Sequence, residues 1–145
     1  MHRSNSHQTP TRVLVHHFPA QAKALGETRD KVRIALSQYG CSQDIIDDVV
    51  LAIDEACQNI IRHAYGNETN EQIAMQIQRQ EDGLIITLRD YAPLIESDCM
   101  KPRNLEDIRP GGLGCHFIQQ IMDNVSIKNA PEGNGNILQM IKYLS

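Results

Sequence analysis

The spacing of apolar residues divides the chain into short elements of two kinds. The run "RVLVHHF" at 12–18 is rich in β-branched and aromatic residues and predicts a strand. Pro19 precedes and Gly40 follows a segment in which apolar residues recur at helical steps. We therefore predict a first helix over 20–39, with an apolar stripe of Ala22, Leu25, Val32, Leu36 and Tyr39.

The strongest helical period in the chain follows Ser42, which has the side chain of an N-cap residue and is followed by Asp44 in the first turn. Apolar steps of three and four residues then continue as far as Gly66 and Asn67. This pattern predicts one long helix whose stripe faces a core. The stripe consists of Ile46, Val49, Val50, Ile53, Cys57, Ile60, Ile61 and Ala64.

Two further strands are predicted next, and they are joined by a tight turn. The segment "QIAMQIQRQ" alternates between apolar and polar residues, and "LIITLRD" follows it after the turn sequence Glu81, Asp82 and Gly83. Residues 91–112 have no clear period and are rich in Pro, Gly and charged residues. A loop of this length, about twenty residues, is usually either functional or disordered in a compact domain.

The last part of the chain predicts a third helix and two more strands. The helix covers about 112–123, with Leu113, Phe117, Ile121 and Met122 as its apolar stripe, and "VSIKN" and "NILQMIKYL" are the strands. Five strands that are mostly connected as hairpins indicate an α+β fold, with a mixed, mainly antiparallel sheet and three helices on one face. We expect residues 1–11 to form a disordered tail and residues 12–145 to form a single domain.

Composition narrows the class of protein. The chain has 145 residues, of which 41% are hydrophobic and 22% are charged, as in ordinary soluble globular domains. No apolar run approaches the ~20 residues that span a bilayer, and the N-terminus has no signal-peptide pattern, so we expect a cytoplasmic protein with no membrane partner. The net charge of −4, without a basic stripe, argues against direct nucleic-acid binding.

The four cysteines and the histidines do not have the spacing of a zinc site, and free thiols are expected. The candidate chemistry lies elsewhere, on the second helix. Glu55, Asn59 and His63 follow one another at intervals of four residues, on the side away from the apolar stripe. Two interpretations are open at this point: a solvated helix face, or a face that a ligand covers beneath the loop at 91–112.

Two other segments carry residues typical of a binding site. Asp90 ends a predicted strand and is followed by "YAP", while "RPGGLG" at 109–114 leads directly into the third helix. Glycines before a helix N-terminus favour anion binding, because unpaired backbone N–H groups and the positive end of the helix dipole point outward. The glycine spacing is neither that of a P-loop nor that of a dinucleotide-binding fingerprint.

Taken in order, "E-x-x-x-N-x-x-x-H-A-Y", the strand-terminal Asp before "YAP" and the "RPGGLG" segment resemble the gyrase, Hsp90, histidine kinase and MutL (GHKL) ATPase superfamily. Within it, the chain is most similar to the anti-sigma-factor serine/threonine kinases of bacterial partner-switching systems, over about 12–144. The resemblance implies a two-layer α/β sandwich of the Bergerat type that uses ATP and Mg²⁺.

The resemblance also implies roles for individual residues. Asn59 would bind the Mg²⁺ that bridges the ATP phosphates, Glu55 would be the general base, and Asp90 would accept a hydrogen bond from the adenine amino group. Ala92 stands where the family usually has Gly, and Gly135–Asn136 stands where it often has Gly-Thr. The phosphate-binding segment comprises Arg109, Gly111, Gly112, Leu113 and Gly114, and Arg109 is either a lid residue or a surface arginine.

The function that the resemblance implies is that of an anti-sigma factor with serine kinase activity. It would phosphorylate an anti-sigma-factor antagonist, sequester a sigma factor or analogous regulator, and form a homodimer. Two alternatives are open: a nucleotide-gated binding module without kinase activity, and a fold of this type that binds no nucleotide.

Overall fold

The computed structural model describes residues 9–92, 113–131 and 135–144, with side chains in the last helix from 117 onward. Within these residues there are five strands and three α-helices. The strands are β1 Thr11–Pro19, β2 Gln72–Gln80, β3 Gly83–Asp90, β4 Asn124–Asn129 and β5 Asn136–Tyr143, and the helices are α1 Leu25–Gln38, α2 Gln43–Asn59 and α3 Leu113–Ile121. The predicted α+β fold is confirmed.

The five strands form one sheet in the order β1-β2-β3-β5-β4, and the four described strand pairs are all antiparallel. The register places Ile86 of β3 between Ile77 of β2 and Met140 of β5, and all three side chains are fully buried. Side chains of a strand alternate between the two faces, and the alternate positions, such as Gln76 and Gln139, are only partly buried or exposed. The sheet therefore has one core face.

The helices cover that core face. Val32 and Leu36 of α1 and Val49 and Ile53 of α2 belong to the same buried cluster as the inward residues of β2, β3 and β5. The first helix begins later than its apolar pattern predicted, because Ala22–Ala24 form a 3₁₀ turn ahead of it. Tyr39, placed on its stripe by the pattern, is 37% exposed.

The second helix matches its prediction at the start and departs from it at the end. The Ser42 hydroxyl accepts a hydrogen bond from the backbone N–H of Ile45 at 3.3 Å, as an N-cap residue does. Every residue of the predicted stripe is buried. The last turn, Ile60–Ala64, is however a π-helix, in which the N–H of Tyr65 donates to the carbonyl of Ile60, five residues back, at 3.0 Å.

The third helix keeps Ile121 and Met122 of its predicted stripe against the core but not Phe117. Phe117 is 41% exposed, whereas Ile118 and Met122, four residues apart, are buried. The prediction of Phe117 as a core residue is wrong, because α3 packs against α2 through the neighbouring face. At its end, the Lys142 ammonium donates to the carbonyl of Ile121 at 2.7 Å and pairs with Asp48 of α2 at 3.1 Å.

The lysine contact joins three elements of the domain. It places the C-terminus of α3 beside the first half of α2, against which α3 packs.

Two general features of the described residues bear on the class of protein. Cys41 and Cys57 are free thiols, as expected. Among the residues placed by the structure, no helix combines the length and the hydropathy needed to cross a bilayer.

Candidate active site

Glu55 and Asn59 lie one turn apart in the second half of α2, and both are half-buried, while His63 in the π-helix is exposed. The line of polar residues predicted on this helix is thus partly covered where Glu55 and Asn59 lie. Within the described part of the chain, the Glu55 carboxylate has no hydrogen-bond or ion-pair partner. Its neighbour differs: Asp54 accepts hydrogen bonds from Arg29 of α1 at 2.6 Å and from Gln58 at 2.8 Å.

The side-chain oxygen of Asn59 accepts a hydrogen bond from the positively charged guanidinium of Arg62 at 3.1 Å. Among the described residues, no group of three or more His, Cys, Asp and Glu side chains is placed to hold a metal ion. Mg²⁺ is often held by only one or two protein groups together with phosphate oxygens and waters, and the oxygen of Asn59 fits that mode of binding.

Asp90 is a buried carboxylate at the end of β3, with only 3% of its surface exposed. Its Oδ1 accepts hydrogen bonds from the backbone N–H of Ala92 at 3.0 Å and from the side-chain amide of Asn136 at 2.9 Å. Burial raises the pKa of Asp90, and hydrogen bonds from Asn136 and Ala92, with the charge of Arg89, oppose that rise. A charge held in a buried position with fixed donors is typical of functional sites.

The residues at the start of β5 lie very close to Asp90. Gly135 has a φ of 110°, and a Cβ at this position would collide with the carbonyl oxygen of Asp90. Asn136, which is 1% exposed, pairs with Asp90 in the β3–β5 register. The contact of Asn136 with Asp90 was not predicted. The sequence signals at this place were a glycine before a polar residue at the start of an apolar strand and the position of Gly135–Asn136 where the resembled family often has Gly-Thr.

Tyr65 connects the end of the second helix to the Asp90 segment. Its hydroxyl donates to the carbonyl of Gln72 at 2.7 Å and accepts from the backbone N–H of Tyr91 at 2.9 Å. The Tyr91 ring lies under the guanidinium of Arg89, 4.8 Å from it. A single side chain therefore brings the helix of Glu55 and Asn59 next to the strand end that contains Asp90.

The remaining predicted site residues are only partly described. Arg109, Gly111 and Gly112 lie outside the described residues. Leu113 and Gly114 are the first two residues of α3, which packs against α2. A helix N-terminus favours anions, so the described residues combine a carboxylate suited to an amino group, an amide oxygen suited to a hard cation and an end suited to phosphate.

A cavity of about 500 Å³ lies on the other flank of α2, between the start of α1 and the segment after the π-helix. Arg29, Gln58, Ile61 and Arg62 are among its lining residues. None of the predicted site residues lines it. Arg62, one of its lining residues, contacts Asn59.

Comparison with known proteins agrees with the ATPase resemblance that the sequence motifs indicated. Residues 18–142 match the family model of the histidine kinase-like ATPase domain. Serine-protein kinase RsbW of Bacillus subtilis is 29% identical over 136 residues, which cover 88% of this chain and 82% of that protein. Serine-protein kinase RsbW of Staphylococcus aureus is 28% identical over 135 residues, with coverage of 87% and 83%.

Two solved structures share the fold. The RsbU and RsbW domains of Rv1364c from Mycobacterium tuberculosis match with a TM-score of 0.65 and 15% identity, covering 94% of this chain and 32% of that one. The SiaB–SiaC complex from Pseudomonas aeruginosa matches with a TM-score of 0.63 and 18% identity, covering 90% of each chain. At these identities, the similarity concerns the fold alone.

Proposed function

This chain belongs to the histidine kinase-like ATPase domain family, and from that premise we propose that it is an ATP- and Mg²⁺-dependent protein serine kinase that acts as an anti-sigma factor. Its substrate is a serine of an anti-sigma-factor antagonist, and it sequesters a sigma factor or an analogous regulator. The observation that carries this proposal is the buried Asp90 carboxylate, held by Ala92 and Asn136 at the end of β3.

Asp90 is suited to select adenine. A carboxylate accepts hydrogen bonds and donates none when ionised, and the exocyclic amino group of adenine is a donor. Ala92 is buried and donates its backbone N–H to Asp90, so in the proposed complex it lies beside the adenine. In the proposed complex the phosphates lie toward the N-terminus of α3, where Gly111, Gly112, Leu113 and Gly114 offer backbone N–H groups and Arg109 offers a positive charge.

Asn59 is the residue proposed to hold Mg²⁺, through the side-chain oxygen that Arg62 contacts in this structure. When bound, the ion supplies charge neutralisation for the transferring phosphoryl group, which is the main requirement of phosphoryl transfer together with positioning. Arg62 then has to leave Asn59 or share its oxygen. Both side chains are near the surface, so this rearrangement requires no change of the core.

Glu55 is the proposed general base. It precedes Asn59 by one helical turn, so a base on Glu55 lies beside the metal ligand and hence beside the phosphoryl group. The carboxylate accepts the proton of the serine hydroxyl as the serine oxygen attacks the γ-phosphorus. The bond between that phosphorus and the β,γ-bridging oxygen breaks, and ADP leaves with the electron pair. The lack of a partner for Glu55 among the described residues supports this role, because a base already engaged in an ion pair is less able to accept a proton.

The partners are proposed from the relatives. The names of the RsbW proteins describe serine-protein kinases, and the SiaB–SiaC structure is a complex between two proteins. The kinase names support a protein substrate, and we propose that it belongs to the antagonist class of a cytoplasmic partner-switching system. A homodimer is the proposed state of this chain.

The proposal is tested with the purified protein, a candidate antagonist, labelled ATP and Mg²⁺. We expect phosphate on one serine of the antagonist, located by peptide mapping, and ATP binding in calorimetry that weakens without Mg²⁺. Binding of ATP with no transfer to any antagonist would favour the alternative, a nucleotide-gated binding module. Absence of binding to both ATP and ADP would exclude both functions.

A further inference from the structure

We infer that Asn136 is a positioning residue that holds the Asp90 carboxylate in the orientation needed for the amino group of adenine, and that it thereby determines the nucleobase preference of the site. This inference rests on the proposed function, since it assumes that Asp90 meets the base.

The geometry of the contact supports this role. Asn136 is the first residue of β5 and lies directly opposite Asp90, the last residue of β3. Its side-chain N–H donates to Oδ1 of Asp90 at 2.9 Å, and the N–H of Ala92 donates to the same oxygen at 3.0 Å. Two donors on one oxygen, from two different segments, fix the rotation of the carboxylate about its side-chain torsions.

Few acceptor positions of the Asp90 carboxylate remain for a ligand. An ionised carboxylate has about four acceptor positions. Oδ1 takes the donors of Asn136 and Ala92, and the backbone N–H of Asn136 also stabilises the charged form. The acceptor capacity that remains for a ligand is thus narrow and directional, which matches a single N–H of an amino group.

The surroundings of Asn136 show that the contact is built into the fold. Asn136 and Asp90 are 1% and 3% exposed, so neither side chain can exchange its partner for bulk water. Gly135 makes the close approach possible, because any larger residue there would collide with the Asp90 carbonyl. Without Asn136, the buried carboxylate would lose a donor, which favours its protonation or its rotation.

The test compares the affinities of two ligands for two forms of the protein, measured by calorimetry with Mg²⁺. The ligands are ATP and purine riboside triphosphate, which lacks the 6-amino group, and the proteins are the wild type and Asn136→Ala. For the wild type we expect tighter binding of ATP by about tenfold, the size expected of a hydrogen bond to a charged group. In Asn136→Ala the preference for ATP should fall below about twofold, with little change for purine riboside triphosphate.

Two further variants keep the test independent of folding. Asn136→Thr retains a donor and should keep part of the preference. Asp90→Asn should lose the preference, because the donors of Ala92 and Asn136 hold its amide oxygen and turn the NH₂ group toward the amino group of the base. Urea unfolding of each variant establishes that it is folded at the temperature of the titration.

The outcomes are distinct. Equal weakening of both ligands by Asn136→Ala, with the ATP preference intact, would overturn the inference and leave the proposed function standing. A wild-type protein that binds neither ligand would overturn the proposed function and the inference with it. Loss of the preference in Asn136→Ala and its partial recovery in Asn136→Thr would support the positioning role.

Discussion

The backbone N–H of Tyr91 donates to the phenolic oxygen of Tyr65 at 2.9 Å, so the end of the second helix holds the residue that follows Asp90. The same hydroxyl donates to the carbonyl of Gln72. Tyr65→Phe keeps the ring but removes both hydrogen bonds. We expect a loss of about 1–3 kcal/mol in the free energy of unfolding and several-fold weaker ATP binding, measured by urea denaturation and calorimetry.

The control for this prediction is Tyr143→Phe, at a tyrosine of β5 that is 52% exposed. It makes the same chemical change away from Asp90 and should alter stability by less than about 0.5 kcal/mol. If Tyr65→Phe binds ATP as tightly as the wild type does, Tyr65 only stabilises the fold and does not position the Asp90 segment.

Gly135→Ala should be much more harmful than the same substitution at another glycine with positive φ. At Gly135, with a φ of 110°, the new methyl group would meet the Asp90 carbonyl, whereas at Gly40, with a φ of 89°, it would meet open space. We expect Gly40→Ala to lose about 1–2 kcal/mol from backbone strain and Gly135→Ala to lose about 1–3 kcal/mol more from overpacking.

Urea denaturation of the two alanine variants provides the comparison, and calorimetry shows whether Gly135→Ala also displaces Asp90. Equal losses at the two glycines would mean that β5 shifts away from Asp90 without penalty. The close approach of the two strands would then not be needed for the fold.

The order and type of the elements could be predicted from the sequence because burial imposes a period on each of them. The stripe of α2 is buried at every predicted position, and the bounds of β2 agree with the alternating segment. The N-cap of α2 at Ser42 was equally predictable, since it depends on local hydrogen bonding. The candidate residues Glu55 and Asn59 could be found because they lie four residues apart on the side of the predicted helix that faces away from its apolar stripe.

Features that depend on packing between distant segments could not be predicted in this way. The nine residues of α3 include apolar side chains on several sides, and only contact with α2 selects Ile118 over Phe117. The π-helix could not be predicted from the spacing of apolar residues, because the same spacing also fits an α-helix. The contact of Asn136 with Asp90 joins residues 46 positions apart and arises only from the β3–β5 register.

Asp90 should lower the stability of the protein at neutral pH. Its ordinary pKa is 3.8, and burial raises the pKa in the folded state. The folded protein then binds more protons than the unfolded chain between these two values, so stability is present at low pH and is lost as the pH rises through the folded pKa. Asp90→Asn removes this titration while retaining an oxygen for the donors of Ala92 and Asn136.

We therefore expect Asp90→Asn to be more stable than the wild type near pH 7, with a difference that shrinks as the pH approaches 4. Urea denaturation of both proteins over this range measures the difference. A gain in stability that is the same at every pH would show that the variant acts through packing rather than through the buried charge.

Arg62 should compete with Mg²⁺ for the oxygen of Asn59. Its guanidinium donates to that oxygen at 3.1 Å, and its positive charge opposes the approach of a cation. Since the pair is near the surface, the effect should be modest, on the order of 0.2–1 kcal/mol. We expect Arg62→Gln to lower the Mg²⁺ concentration that half-saturates ATP binding by up to about fivefold, measured by calorimetry at fixed ATP.

Arg33→Gln is the matched control, because Arg33 of α1 pairs with Asp30 at 3.4 Å and takes no part in the candidate site. It should leave the Mg²⁺ dependence unchanged. An increase in the Mg²⁺ requirement of Arg62→Gln would contradict the competition and would assign Arg62 to the binding of the nucleotide phosphates.

Glu55→Gln should separate catalysis from binding. Glutamine has nearly the same shape as glutamate but cannot accept the serine proton as a carboxylate does, so phosphoryl transfer should fall by about 10²–10⁴-fold. ATP and Mg²⁺ binding should be unchanged, because Asp90 and Asn59 are intact.

The control is Asp54→Asn, which changes the neighbouring carboxylate. This variant weakens the contact with Arg29 and should reduce the free energy of unfolding by about 1 kcal/mol while phosphoryl transfer continues. Transfer measured with saturating ATP and antagonist decides the matter: a Glu55→Gln protein as fast as the wild type would mean that the serine proton leaves by another route.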